Sequence, residues 1–93
     1  MFVGVLQVEL AIPGAFSLKD KRRVVKSLLE RTRRKFDVSA AEVSGLDTWN
    51  RAGLGISFVA NDRRRVESQL QHVLNSMERE SDAIVEDSQI EVF

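Results

Sequence analysis

The chain has 93 residues, 43% of them hydrophobic and 30% charged, and its 14 basic and 14 acidic side chains leave no net charge. That length fits one hydrophobic core burying roughly 60–70% of the surface of the unfolded chain, and the balance excludes collagen-like, low-complexity and disordered classes. With no Cys and one His, His72, disulfides, thiolate metal sites, CxxC redox chemistry, a cysteine nucleophile and a multi-histidine metal centre are excluded together, and no cofactor is expected.

Residues 1–16 are apolar, but they lack a cationic start and are interrupted by Gln7 and Glu9. Neither an export signal nor a membrane span is therefore expected, and a cytoplasmic location is. Phe2, Gly4, Leu6, Val8, Leu10 and Ile12 alternate with Val3, Val5, Gln7, Glu9 and Ala11, which predicts a long first strand with one apolar and one mixed face. Pro13-Gly14 ends it. Ser17-Leu18-Lys19-Asp20 then has the spacing at which a hydroxyl caps a helix start and a carboxylate reaches back. The apolar positions Leu18, Val25, Leu28, Leu29, Thr32 and Phe36 extend that helix to about Lys35, with one stripe for docking on a sheet.

Residues 38–43 are short and β-branched at both ends, which suits a second strand. After a connection over 44–51, residues 52–60 place Leu54, Ile56, Phe58 and Ala60 on one face and Gly53, Gly55, Ser57 and Val59 on the other, as a third strand does. Asn61-Asp62 can cap a second helix with an apolar stripe of Val66, Leu70, Val73, Leu74 and Met77 and a surface pair Arg63 and Glu67, ending near Glu80. Residues 84–93 read as a polar-edged final strand, Ile84, Ile90 and Val92 on one face against Asp87, Gln89 and Glu91. The order β-α-β-β-α-β predicts one α+β domain over 1–93 with the ferredoxin-like split βαβ fold: a four-stranded antiparallel sheet, strands one and three central, and both helices on one face.

Charge is unevenly placed. Residues 19–35 carry nine basic side chains (Lys19, Lys21, Arg22, Arg23, Lys26, Arg31, Arg33, Arg34, Lys35) against Asp20 and Glu30, an excess of seven that the rest of the chain cancels. At about 100° per residue, Lys19, Arg22, Arg23, Lys26, Arg33 and Arg34 gather away from the apolar stripe. Such a face suits a phosphate backbone, RNA or the ribosome, without reading base sequence. It equally suits plain solvent exposure, or pairing with carboxylates such as Glu78, Glu80, Asp82, Glu86, Asp87 and Glu91 of the same chain or a partner protein.

The sheet face away from the helices should hold Val3, Val5, Gln7, Gly53, Gly55 and Ser57. Without aromatics it does not match the base-stacking sheets of RNA-recognition motifs. Its small and apolar residues fit either homodimerisation, with Val3, Val5, Gly53, Gly55 and Trp49 as interface candidates, or partial exposure in a monomer. The 44–51 connection brings Asp47, Trp49, Asn50 and Arg51, a group able to stack and hydrogen-bond, though a lone Trp also commonly folds back on a core. His72 has no nucleophile or second His beside it. There is no P-loop, GxGxxG or GxSxG, Asp37, Glu42 and Asp47 form no recognisable acid pair, and the 13–17 segment lacks the Arg and Asn anion loop of the acylphosphatase branch of this fold. No enzyme activity is expected.

Ser17-Leu18-Lys19-Asp20-Lys21-Arg22-Arg23-Val24-Val25-Lys26-Ser27-Leu28, with Phe36-Asp37-Val38-Ser39-Ala40-Ala41-Glu42-Val43, Trp49-Asn50-Arg51-Ala52 and Val59-Ala60-Asn61-Asp62, resembles the YlxP-like family of small bacterial proteins over nearly the whole chain. The resemblance implies a ferredoxin-like fold, a domain of unknown function and genes neighbouring those for transcription and translation factors such as ribosome-binding factor A. It implies no catalytic residue. Where many relatives carry a His before the Ser, this chain has Phe16.

Overall fold

The computed structural model describes residues 1–79 and 82–93. Its long first strand, β1 (Phe2–Ala11), is hydrogen-bonded on both edges. Along one edge it pairs antiparallel with β3 (Arg51–Ala60), from Phe2 opposite Ala60 to Ala11 opposite Arg51. Along the other it pairs antiparallel with β4 (Ile84–Val92), while β2 (Ser39–Ser44) closes the far side of β3, giving the order β2-β3-β1-β4. With α1 (Leu18–Lys35) and α2 (Arg63–Glu78) this is the ferredoxin-like arrangement, and strands one and three are central.

The alternation of the strands decides which face the helices cover. Leu6, Val8, Leu10 and Ile12 from β1 and its extension, and Ala52, Leu54, Ile56 and Phe58 from β3, all point to one side and are buried. Against them α2 sets Val66, Leu70, Val73, Leu74 and Met77, and α1 sets Val25, Leu28, Leu29 and Thr32. Each fully buried Val, Leu or Ile contributes about 1.5–3 kcal/mol relative to exposure, so this two-layer core is the main stabilising term. Gly4 makes the approach of α2 feasible: a Cβ there would lie 2.3 Å from Val66 Cγ1 and 2.6 Å from Leu70 Cδ1.

Both helix starts are capped by short polar side chains. The Ser17 hydroxyl accepts the Asp20 N–H at 3.1 Å, and the Asp20 carboxylate reaches back to the N–H of Phe16 at 3.1 Å, one residue before the cap. The Asp62 carboxylate accepts the Arg64 N–H at 2.9 Å, and Arg63 donates to Glu67 at 3.0 Å one turn on. Helix α1 ends where Phe36 turns to an extended conformation and gives its N–H to the Thr32 carbonyl.

Several details differ from the sequence expectation. Strand β2 starts at Ser39 and runs to Ser44, one residue later than predicted. The last helical residue of α2 is Glu78, and the predicted end at Glu80 lies outside the described residues. The larger difference is in β4, where Glu9 faces Asp87 but Leu10 faces Val85, leaving Glu86 as an extra residue. An extra residue reverses the in-and-out alternation on one side of it. Ile84 therefore falls opposite Ala11 on the open face, 55% exposed, and Val85 turns inward, whereas Ile90 and Val92 lie opposite Leu6 and Gly4 on the helix face. The three apolar residues predicted on one face of β4 are split between two.

Gly4→Ala should lower stability by about 1–3 kcal/mol through overpacking against α2, which is read by chemical denaturation. An unchanged unfolding midpoint would show that α2 can back away at no cost.

Candidate functional site

The first turns of α1 point one basic side chain inward. Lys21 is fully buried, and its Nζ lies 2.7 Å from the Glu42 carboxylate, 2.8 Å from the Gly45 carbonyl and 3.4 Å from the Leu46 carbonyl. Three acceptors thus surround an ammonium that has three hydrogens to donate. Glu42 faces α1 because it alternates with Ala40 on the inward side of β2. Gly45, at φ +70°, takes the left-handed conformation that turns its carbonyl chain out of β2, a backbone shape glycine adopts without steric cost. The next bonds extend the anchor: Thr48 N–H donates to the Gly45 carbonyl at 3.0 Å and Ile12 N–H to the Asn50 carbonyl at 2.9 Å. The β1–α1 and β2–β3 connections consequently meet beside the start of α1. The sequence carried a signal for Lys21, which sits one turn before Val25 on the apolar stripe, and for Glu42, which shares its parity with Ala40.

Outward from Lys21 the helix is cationic. Lys19, Arg22, Arg23, Lys26 and Arg34 are exposed and take no ion pair or hydrogen bond among the described residues. Arg33, predicted with them, donates instead to the Ala40 carbonyl of β2, so its fork ties the helix to the sheet edge. Arg31 donates to the Ser27 carbonyl at 3.3 Å, and the Lys35 ammonium lies 5.5 Å from the centroid of the Phe36 ring, a cation–π contact. Beyond this face, an open cleft of about 390 Å³ between the helices is lined by Arg31, Thr32, Arg34, Lys35 and Ser76. Next to it lie Lys35, Phe36, His72, Asn75 and Arg79; His72 is exposed on α2.

Two of the carboxylates considered as partners for α1 are engaged elsewhere. Glu86 pairs with Arg51, and Glu91 accepts the Gln89 amide at 2.7 Å. Asp87, Gln89 and Glu91 stand opposite Glu9, Gln7 and Val5, which gives the open sheet face an acidic side on β1 and β4. Glu80 lies outside the described residues. Among those described, no three His, Asp or Glu side chains assemble as a metal site.

The other side of the open face is apolar. Val3 and Val5 stand opposite Val59 and Ser57, and Val5, Ala41, Val43, Gly55 and Ser57 line a shallow groove of about 320 Å³. Of the two glycines predicted to admit a partner, Gly53 is buried by its own chain: a Cβ there would lie 1.9 Å from the Ser44 hydroxyl and 3.1 Å from Glu9 Oε1. Gly55 is half-buried, and a Cβ there would meet Val43 at 3.2 Å. Trp49 is not folded into the core; it is 45% exposed on the β2–β3 connection.

The family described as "Protein of unknown function (DUF503)" matches residues 3–90. The chain belongs to that family. It is also 43% identical over 72 residues to "Uncharacterized protein YlxP" of Bacillus subtilis (strain 168), a match covering 77% of this chain and 78% of the relative. Both agree with the YlxP-like resemblance carried by the α1 sequence. No helix among the described residues is long and apolar enough to cross a membrane.

Lys21→Met should cost about 3–5 kcal/mol, because it strands Glu42 and removes the donor to the loop carbonyls. Denaturation measures the loss, and hydrogen exchange should accelerate locally over residues 45–50. A variant as stable as the parent, with the loop still protected, would show that the buried ammonium is dispensable.

Proposed function

We propose that this protein is a cytoplasmic, non-catalytic accessory factor that binds RNA, free or in the ribosome, through the outer face of α1. The observation that carries this reading is the set of five cations, Lys19, Arg22, Arg23, Lys26 and Arg34, that face solvent with no partner among the described residues. Arginine forks and lysine ammoniums spaced along one rigid helix match a polyanion with repeating charge. The compensating acidic groups on the opposite sheet face, Glu9, Asp87 and Glu91, would repel the same polyanion and so fix which side of the domain it meets. Contacts to phosphate position a nucleic acid without selecting its sequence.

A second reading is supported by the groove along Val5, Ala41, Val43 and Gly55: a homodimer, or a complex with another protein, through the open sheet face. Two copies would have to meet along the apolar groove, offset toward β2, since full overlap of the two faces in that alignment would bring the carboxylates of β1 and β4 together. Sedimentation at micromolar concentration tests it, and a monomer there removes the dimer.

Co-sedimentation with ribosomal subunits and free RNA between about 50 and 200 mM salt tests the leading reading. Five phosphate contacts to a single strand give a log–log salt slope of roughly −3.5. Reversing Arg22, Arg23 and Lys26 together to Glu should abolish binding. Equal binding by that triple variant would reject α1 as the site.

A further inference from the structure

We propose that the end of the molecule where α1 begins recognises unpaired bases: Phe16 and Trp49 serve as stacking platforms for a single-stranded RNA whose phosphates follow Lys19, Arg22, Arg23 and Lys26. The proposal rests on the RNA reading above and narrows its substrate class. Of the six aromatic residues, Phe58 is in the core, Phe2 and Phe36 pack against it, and Phe93 pairs with Val3 at the far end of the sheet. Phe16, 80% exposed, and Trp49, 45% exposed, are the aromatic rings shown to solvent on the two connections beside α1.

Both rings stand on held backbone. Phe16 precedes the helix cap, and its N–H is fixed by the Asp20 carboxylate. Trp49 precedes Asn50, whose carbonyl receives the Ile12 N–H, and its loop is anchored at Gly45 and Leu46 by the buried Lys21 ammonium. The same bonds bring the two connections together beside the first turns of α1, where Lys19, Arg22 and Arg23 are exposed. Asp47 and Asn50, exposed on the same connection, offer an acceptor and an amide to base edges.

The arrangement favours one form of RNA. In a duplex each base is already stacked and the helix offers the protein its phosphates and sugars, so an aromatic platform gains nothing. Unpaired bases gain a π-face, while their phosphates use the same cations. The open sheet face, which other RNA-binding domains use for stacking, carries no aromatic side chain on β1 or β3, and its one exposed ring, Phe93, pairs with Val3 at the end of the sheet away from the start of α1. Base contact is therefore displaced from the sheet to the loops at the start of the helix.

The test is titration with a single-stranded RNA of about 12 nucleotides and with a duplex of the same length, followed by Trp49 emission and by anisotropy of labelled RNA. Trp49 is the one tryptophan in the chain, so emission reports this end of the molecule alone. The single strand should bind more tightly and quench the emission. Phe16→Ala and Trp49→Ala should each weaken single-strand binding roughly five- to fiftyfold, with duplex binding unchanged. Both side chains are exposed, and a thermal midpoint by circular dichroism verifies that each variant is folded. Equal binding of both RNA forms with unmoved emission, or alanine variants that bind the single strand as the parent does, would overturn the stacking sites while leaving the phosphate contacts of α1 in place. Failure of both RNAs to bind would overturn both readings and leave the aromatic end as a surface for a protein partner.

Discussion

An ammonium with no access to water must find acceptors for its hydrogens, and in this fold that requirement is met by joining three elements at one point. Lys21 from α1, Glu42 from β2 and the Gly45 and Leu46 carbonyls of the following loop converge on a single nitrogen. Breaking such a cluster costs more than the pair contributes relative to an apolar replacement, because whatever remains is left buried without a partner. Its structural value lies in position: it fixes the start of α1 against the sheet edge and gives the β2–β3 connection a defined course. The orientation of the exposed cations, and the convergence of the two loops that carry Phe16 and Trp49, both follow from that anchor.

The chain separates its charges by layer. The helices cover one sheet face and present a cationic outer surface, while the uncovered face divides into an acidic side on β1 and β4 and an apolar side toward β2. A chain with no net charge can still present a strong local field, since exposed groups are screened over about 8–10 Å at ordinary ionic strength and a ligand senses chiefly the nearest face. Net neutrality is thus compatible with a polyanion site on α1.

Apolar surface on the open face is smaller than the sequence pattern suggests. Gly53 lies beneath Ser44 and Glu9, so its missing side chain accommodates groups of its own chain. Val3, Val5, Val43 and Val59 remain as a strip, and the bulge at Glu86 adds Ile84 at the far end of the sheet. Gly4 does for the helix face what Gly53 does for the open one, since its absent Cβ is the space occupied by Val66 and Leu70. In both places a glycine in a strand marks close approach by a neighbouring element.

The order of elements, the central strands and the buried stripes were legible in the sequence because they depend on local periodicity: two residues in β1 and β3, about 3.6 in α1 and α2. The two capping residues, Ser17 and Asp62, were legible for the same reason, as were the excess of cations along α1 and the YlxP-like signature of its first turns. What periodicity could not supply was decided by pairing at long range. The register of β4 against β1 placed Glu86 in a bulge and sent Ile84 and Ile90 to opposite faces. The docking of α1 on β2 took Arg33 out of the basic face and onto the Ala40 carbonyl, put Lys21 of the apolar stripe into a buried pair, and left Lys19, Arg22, Arg23, Lys26 and Arg34 to solvent. A side chain's charge is written in the sequence, but whether that charge is spent inside the fold depends on which acceptors a neighbouring element brings within about 3 Å, and only the tertiary structure sets that distance.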